Sequence, residues 1–98
     1  PVMAFNAAST GEKLRDIAAA FGVEGAASMP LEDARQAAID AVATLTRDLG
    51  NPTTLREVGA KEEDLPALAE AAFADVCTGG NPRTATLAEI EELYRSVY

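Results

Sequence analysis

The chain has 98 residues, 48% of them hydrophobic, with 8 basic residues against 16 acidic ones and a formal charge of −8. That length suits one domain with a modest core, and the acidic surface repels duplex nucleic acid and anionic membranes. No run approaches the length of a membrane-spanning helix, and no basic stretch leads into an apolar leader segment.

The opening PVMAFNAA is apolar, begins abruptly and reads as the end of an element begun elsewhere. STGEKLRDIAAAFG predicts a helix near 10–21. Ser9 and Glu12 stand at capping-box spacing, while Leu14, Ile17, Ala18 and Phe21 share one face. Gly22 is placed for a left-handed C-terminal cap closed by Val23. A second helix is expected over 31–49, started by Pro30. Its buried stripe is Leu31, Ala34, Ala38, Ala41, Leu45 and Leu49, widened by Ile39 and Val42. Gly50, Asn51 and Pro52 end it.

Thr54 and Glu57 form a second capping-box pattern over a short turn near 54–58, stopped by Gly59. A helix over 65–77 follows, with Asp64 as N-cap and Pro66 in its first turn. Its apolar face is Leu65, Leu68, Ala69, Ala72, Phe73 and Val76. Thr86 and Glu89 give a third box, opening a helix over 86–97 lined by Leu87, Ile90, Leu93, Tyr94 and Val97. No stretch alternates as a strand would. The fold class is all-α, packed on alanine seams.

The chain has no histidine and a single cysteine. It therefore lacks the usual general base near neutral pH and the usual nitrogen ligand of zinc or iron. One thiol makes no internal disulfide, which points to a reducing, cytoplasmic compartment. Glu32, Asp33, Glu62, Glu63, Asp64, Glu89, Glu91 and Glu92 gather at helix starts, where the helix dipole accounts for them. They show no calcium-loop spacing.

The least generic stretch is CTGGNPR, residues 77–83. Gly79 and Gly80 allow backbone conformations closed to other residues. Asn81 can hold an Asx turn, and Pro82 restricts it. A phosphate cradle would need a preceding strand and a Gly-Lys-Ser or Gly-Lys-Thr ending, both missing. Cys77, following Val76 on an apolar face, reads first as a buried core thiol. Without a base beside it, it is not a nucleophile. Arg83 could anchor the turn, pair with a carboxylate, or meet another domain. Asn6, next to Phe5, suits a structural hydrogen bond to a chain end or the lining of a pocket.

PVMAFN, TGEKLRDIAAAFGV, NPTTLREVGAKEEDLPALAEAAFADVCTGGNPR and TLAEIEELY together resemble the C-terminal end of the iron-containing (group III) alcohol dehydrogenases. Within them the likeness is to the branch acting on lactaldehyde and 1,2-propanediol, and ADVCTGGNPRTATLAEI is its most specific part. The resemblance implies the helical C-terminal portion of the dehydroquinate synthase-like fold, with 1–98 as part of the helical metal-binding domain. It also implies a parent with an N-terminal NAD(P)-binding domain and Fe2+ or Zn2+ held by an aspartate and three histidines, all outside this segment.

On that reading the segment alone is inactive and holds no metal, and none of its residues is catalytic. Its partners are the rest of the parent chain and a small alcohol or aldehyde, within a homo-oligomer. Cys77, Asn6 and Phe5 match positions bordering the substrate and metal region. Gly79, Gly80, Asn81, Pro82 and Arg83 match the family's final structural turn. Two departures stand out: Asn51 where isoleucine is usual, and Pro30 in place of a capping serine. The alternatives are a maleylacetate-reductase-like enzyme of the same superfamily and a free-standing helical interaction module with an exposed apolar face.

Overall fold

The computed structural model describes residues 1–98. Five α-helices carry the chain: α1 (Val2–Asn6), α2 (Lys13–Ala20), α3 (Leu31–Asp48), α4 (Leu65–Ala74) and α5 (Leu87–Arg95). Short 3-10 turns lie at Ala7–Ser9, Arg56–Val58, Glu62–Asp64 and Val76–Gly80, and there is no strand. Two compact units result, one of Met3–Asn51 and one of Pro52–Tyr98 with Pro1 and Val2.

In the first unit α2 lies against α3. Leu14, Ala18, Ala26 and Ala38 form the core, and Met3, Ala7, Ile17, Val23 and Ala37 pack around it. Ala18, Ala34 and Ala38 are completely buried. An alanine seam lets two helix backbones approach closely, so the contact is tight although each side chain contributes little area. Both helices end as their glycines predict. Gly22 has φ +78°; its N–H reaches the Ala19 carbonyl at 2.9 Å and that of Val23 reaches Ala18 at 3.0 Å. Gly50, with φ +70°, repeats the pattern through Arg47 and Thr46. These are Schellman caps, which satisfy the last helical carbonyls.

Two arginines hold the connections of this unit. Arg15 donates through Nη1 to the carbonyls of Ala26 at 2.5 Å and Met29 at 2.8 Å, and through Nε to Glu12 at 2.6 Å. The loop between α2 and α3 is thus tied back onto α2. Arg35 is buried on α3; it donates through Nη2 to the Gly11 carbonyl at 3.0 Å and through Nη1 to Glu32. Its Nε is buried without a partner.

In the second unit α4 lies on α5 through Leu65, Ala69 and Ile90. The Arg56–Val58 turn is pinned to the end of the chain: the Leu55 N–H donates to the Val97 carbonyl at 2.8 Å. The Arg56 guanidinium also sits 4.1 Å from the centre of the Tyr98 ring, a cation–π contact. Thr86 and Glu89 make the predicted reciprocal box: the Glu89 N–H donates to the Thr86 hydroxyl and the Thr86 N–H to the Glu89 carboxylate at 2.9 Å.

Several expectations are corrected. The Ser9–Glu12 box does not form, and α2 starts at Lys13. Ser9 closes a 3-10 turn, the Thr10 hydroxyl donates back to the Ala7 carbonyl, and Glu12 is taken by Arg15. The Thr54–Glu57 box is half made: the Glu57 N–H reaches Thr54, but the backbone N–H that returns to the carboxylate is that of Thr53. Asp64 does not cap α4 with its side chain; its carboxylate accepts from the Lys61 N–H, closing the turn before it. Pro30 stands one position before α3, and its carbonyl accepts the first helical bond, from Ala34.

The stripes also differ. Leu45 and Leu49 are exposed, the latter 66%. The reason is length: α2 has 8 residues and α3 has 18, so about 12 Å of helix faces about 27 Å. On α4 only Leu65 and Ala69 are buried, while Leu68 and Phe73 are exposed.

Candidate functional site

The 77–83 stretch was expected to follow directly from the last turn of a helix over 65–77. Instead α4 ends at Ala74, because Asp75 takes an extended conformation and starts a new element. Its carboxylate accepts the Cys77 N–H at 2.7 Å, and its carbonyl accepts the Thr78 N–H at 3.1 Å. An aspartate that can bond the backbone two residues on competes with helix continuation. The Thr78 hydroxyl donates to the Ala72 carbonyl at 2.6 Å, tying the new turn to the end of α4. Asp75 is the residue that sequence reasoning missed; its signal is an N-cap residue type two positions before Cys77, at the end of an alanine-rich run.

Cys77 is exposed, and Val76 beside it is 92% exposed. Within these 98 residues Cys77 does not pack as a core thiol: the 3-10 turn begins after the helix has ended, so these two side chains leave the α4–α5 seam. Gly79 and Gly80 are corrected as well. Neither has a positive φ, and a Cβ on either would meet nothing within 4 Å. Within this chain, glycine is not required at those two places by conformation or by space.

The rest of the turn behaves as a shaped connection. Asn81 is extended, as a residue before proline should be, and its side-chain amide donates to the Arg83 carbonyl at 2.5 Å. Of the three roles open to Arg83, pairing with a carboxylate is made: its Nη2 lies 2.6 Å from Glu89. Arg83 therefore links the end of the turn to the first turn of α5.

Phe5 and Asn6 close α1 in the other unit. Asn6 is buried, 8% exposed, and Phe5 is half-buried. No group of three or more His, Cys, Asp or Glu side chains is placed to hold a metal ion. No helix is long and apolar enough to cross a membrane.

The electrostatics mark two carboxylates. The Glu89 carboxyl is held below its ordinary value, first by the Thr86 backbone N–H, then by the Thr86 hydroxyl, with Arg83 adding to both. Glu57 is lowered chiefly by the Thr54 hydroxyl and then by the Thr53 N–H. A carboxyl lowered on folding stabilises above its unfolded value, about 4.3. That contribution disappears as pH falls through the folded value. The amide resonance of Thr86 should therefore hold steady from neutral pH down to the ordinary carboxylate range and shift only below it. In Glu89→Gln the amide should show no such acid transition; a transition that persists would remove Glu89 as its cause.

Comparison with known proteins gives a consistent picture. The sequence model of the Fe-containing alcohol dehydrogenase family, C-terminal part, matches residues 1–98. Lactaldehyde reductase of Escherichia coli (strain K12) is 58% identical over 97 residues, covering 99% of this chain and 25% of that protein. NAD-dependent methanol dehydrogenase of Bacillus methanolicus is 37% identical over 95 residues, covering 97% and 25%. The crystal structure of a 1,3-propanediol oxidoreductase superposes with a TM-score of 0.92 at 36% identity, again over 99% of this chain and 25% of that one. The chain spans about a quarter of the length of the curated relatives it matches.

Proposed function

The chain belongs to the Fe-containing alcohol dehydrogenase family, and from that premise we propose that it is the C-terminal quarter of a longer, cytoplasmic oxidoreductase. The parent interconverts small primary alcohols or diols with their aldehydes, of the lactaldehyde and 1,2-propanediol type, using NAD(P). The observation that carries this reading is the 58% identity to lactaldehyde reductase over 97 residues.

The iron in the family's name has no seat among these residues. The chain has no histidine, and no three candidate donors converge. Its own part is to shape. Cys77 borders the substrate space of the parent, on a turn that Asp75 starts and Thr78 ties to the end of α4. Two observations support this role: Cys77 is exposed, and its backbone is fixed by Asp75 and Thr78.

The test is steady-state kinetics of the full-length protein with NADH or NADPH and lactaldehyde, with 1,3-propanediol and methanol in the reverse direction. Lactaldehyde should give the highest kcat/KM. No turnover with any of the three, in a folded and metal-loaded preparation, would overturn the assignment. In the same protein Cys77→Val should keep turnover and shift discrimination among short aldehydes by about 1–3 kcal/mol, the usual worth of a methyl group in an apolar wall. Loss of turnover by about four orders of magnitude, about 5.5 kcal/mol of barrier, would instead place the thiol in the chemistry. An unchanged substrate profile would remove it from the pocket.

A further inference from the structure

Helix α4 has a composition at odds with its surroundings. It reads LPALAEAAFA. The side that meets α5 is Leu65 and Ala69, with Ala72 half-buried. Every other residue is exposed: Pro66, Ala67, Leu68, Ala71, Phe73 and Ala74, and Glu70 as the one charge. Val76, just beyond the end of the helix, extends the apolar surface. The partner helix α5 is ordinary by contrast, since LAEIEELYR places Glu92 and Arg95 on its outer face. A surface helix carries charge opposite its buried stripe, and a helix apolar on every side is an interior helix. A soluble protein rarely leaves such a patch to water.

Resting on the reading that this chain is the last quarter of a longer subunit, we infer that the outward face of α4 is covered by earlier segments of the same polypeptide. Ala67, Ala71, Phe73 and Ala74 are the seat, and α4 runs through the interior of the parent subunit. Two observations select this occupant over a second copy. The relatives are about four times the length of this chain, which leaves three-quarters of a subunit to be placed. The bare surface also wraps around α4 on all sides but the α5 seam. A dimer contact covers one face, whereas enclosure needs several elements of one domain.

The experiment uses the full-length protein carrying Ala67→Cys or Ala71→Cys. Maleimide labelling is followed peptide by peptide, so that the native Cys77 is read separately. Both introduced thiols should react about a hundredfold more slowly, or less, than in the guanidinium-unfolded protein, as buried sites that open only rarely do. That protection should be the same at every protein concentration down to the monomer. Protection lost on dilution would mean that a second copy covers the face and would overturn the inference. Rapid labelling at all concentrations would leave the face bare, as in a module awaiting another protein, and would overturn it too. Hydroxyl-radical footprinting of Phe73 in the unsubstituted protein gives the same reading should a substitution disturb folding. Lactaldehyde reduction is measured on the same preparation. Activity with a reactive α4 sinks the burial and spares the oxidoreductase reading; a protected α4 without activity does the reverse.

Discussion

Leu65→Ala is expected to weaken the α4–α5 pair by about 2–5 kcal/mol, the range for truncating a fully buried leucine. Leu65 is the largest side chain in the molecule with no exposure. It opens α4 at the point where the Glu62–Asp64 turn hands the chain to the helix. Its buried company in this unit is small: Ala69, one turn further along α4, has little volume, and Ile90 of α5 is the one other large buried group. The cavity therefore cannot be refilled by a small shift of adjacent atoms, which puts the cost in the upper part of that range. Native-state hydrogen exchange in the full-length protein reads the effect as faster exchange of α4 and α5 amides, with those of α2 and α3 unchanged. A loss below about 1 kcal/mol would mean that the helices close over the gap, against the cavity term expected for a packed seam.

Arg15→Met is expected to cost about 2–4 kcal/mol, through hydrogen bonding more than through packing. The guanidinium serves two backbone carbonyls of one loop, those of Ala26 and Met29. Ala26 is itself a buried core residue. Methionine preserves most of the apolar stem and removes every donor, so the carbonyls lose charge-assisted bonds worth about 1.5–3 kcal/mol each, with water recovering part at the exposed edge. Arg15→Lys should recover only part, because one ammonium can serve the two carbonyls that share Nη1 but has no second, fixed donor for the Glu12 carboxylate. Amide exchange across residues 22–30 is the measurement. If lysine restores full protection, one charged nitrogen on the two carbonyls is enough and the Nε–Glu12 pair adds nothing to the loop. The buried Arg35 offers the contrast. Its Nε has no partner, so Arg35→Met gives back some desolvation and should cost less than Arg15→Met.

What the sequence could determine here is whatever depends on neighbours along the chain. The all-helical class follows from period-3.6 stripes. The ends at Gly22 and Gly50 follow because a C-terminal cap is decided by the residue one step past the helix. The Thr86–Glu89 box is equally local, three residues reaching back to one. The Ser9–Glu12 spacing failed for a reason outside the pattern: Arg15 offered the Glu12 carboxylate a charged partner, which outcompetes a neutral backbone N–H. The break at Asp75 was available in the residue type, but the apolar run on both sides of it reads as a continuing helix.

Burial is another matter. Leu45, Leu49, Leu68 and Phe73 sit on stripes that the sequence marks as apolar, yet they are exposed. An apolar period says that a face should be covered, while the length and placement of the covering element decide whether it is. α2 is too short to cover the end of α3, and α5 can cover only one side of α4. The same limit governs the candidate site. That CTGGNPR is a turn could be read from its residues. That Cys77 leaves the seam, that Asp75 holds its amide, and that Arg83 spends its charge on Glu89 were settled by where α4 stops and α5 begins. Capping and periodicity act over a few residues, whereas exposure is set by atoms distant along the chain, which only the tertiary structure brings near or keeps away.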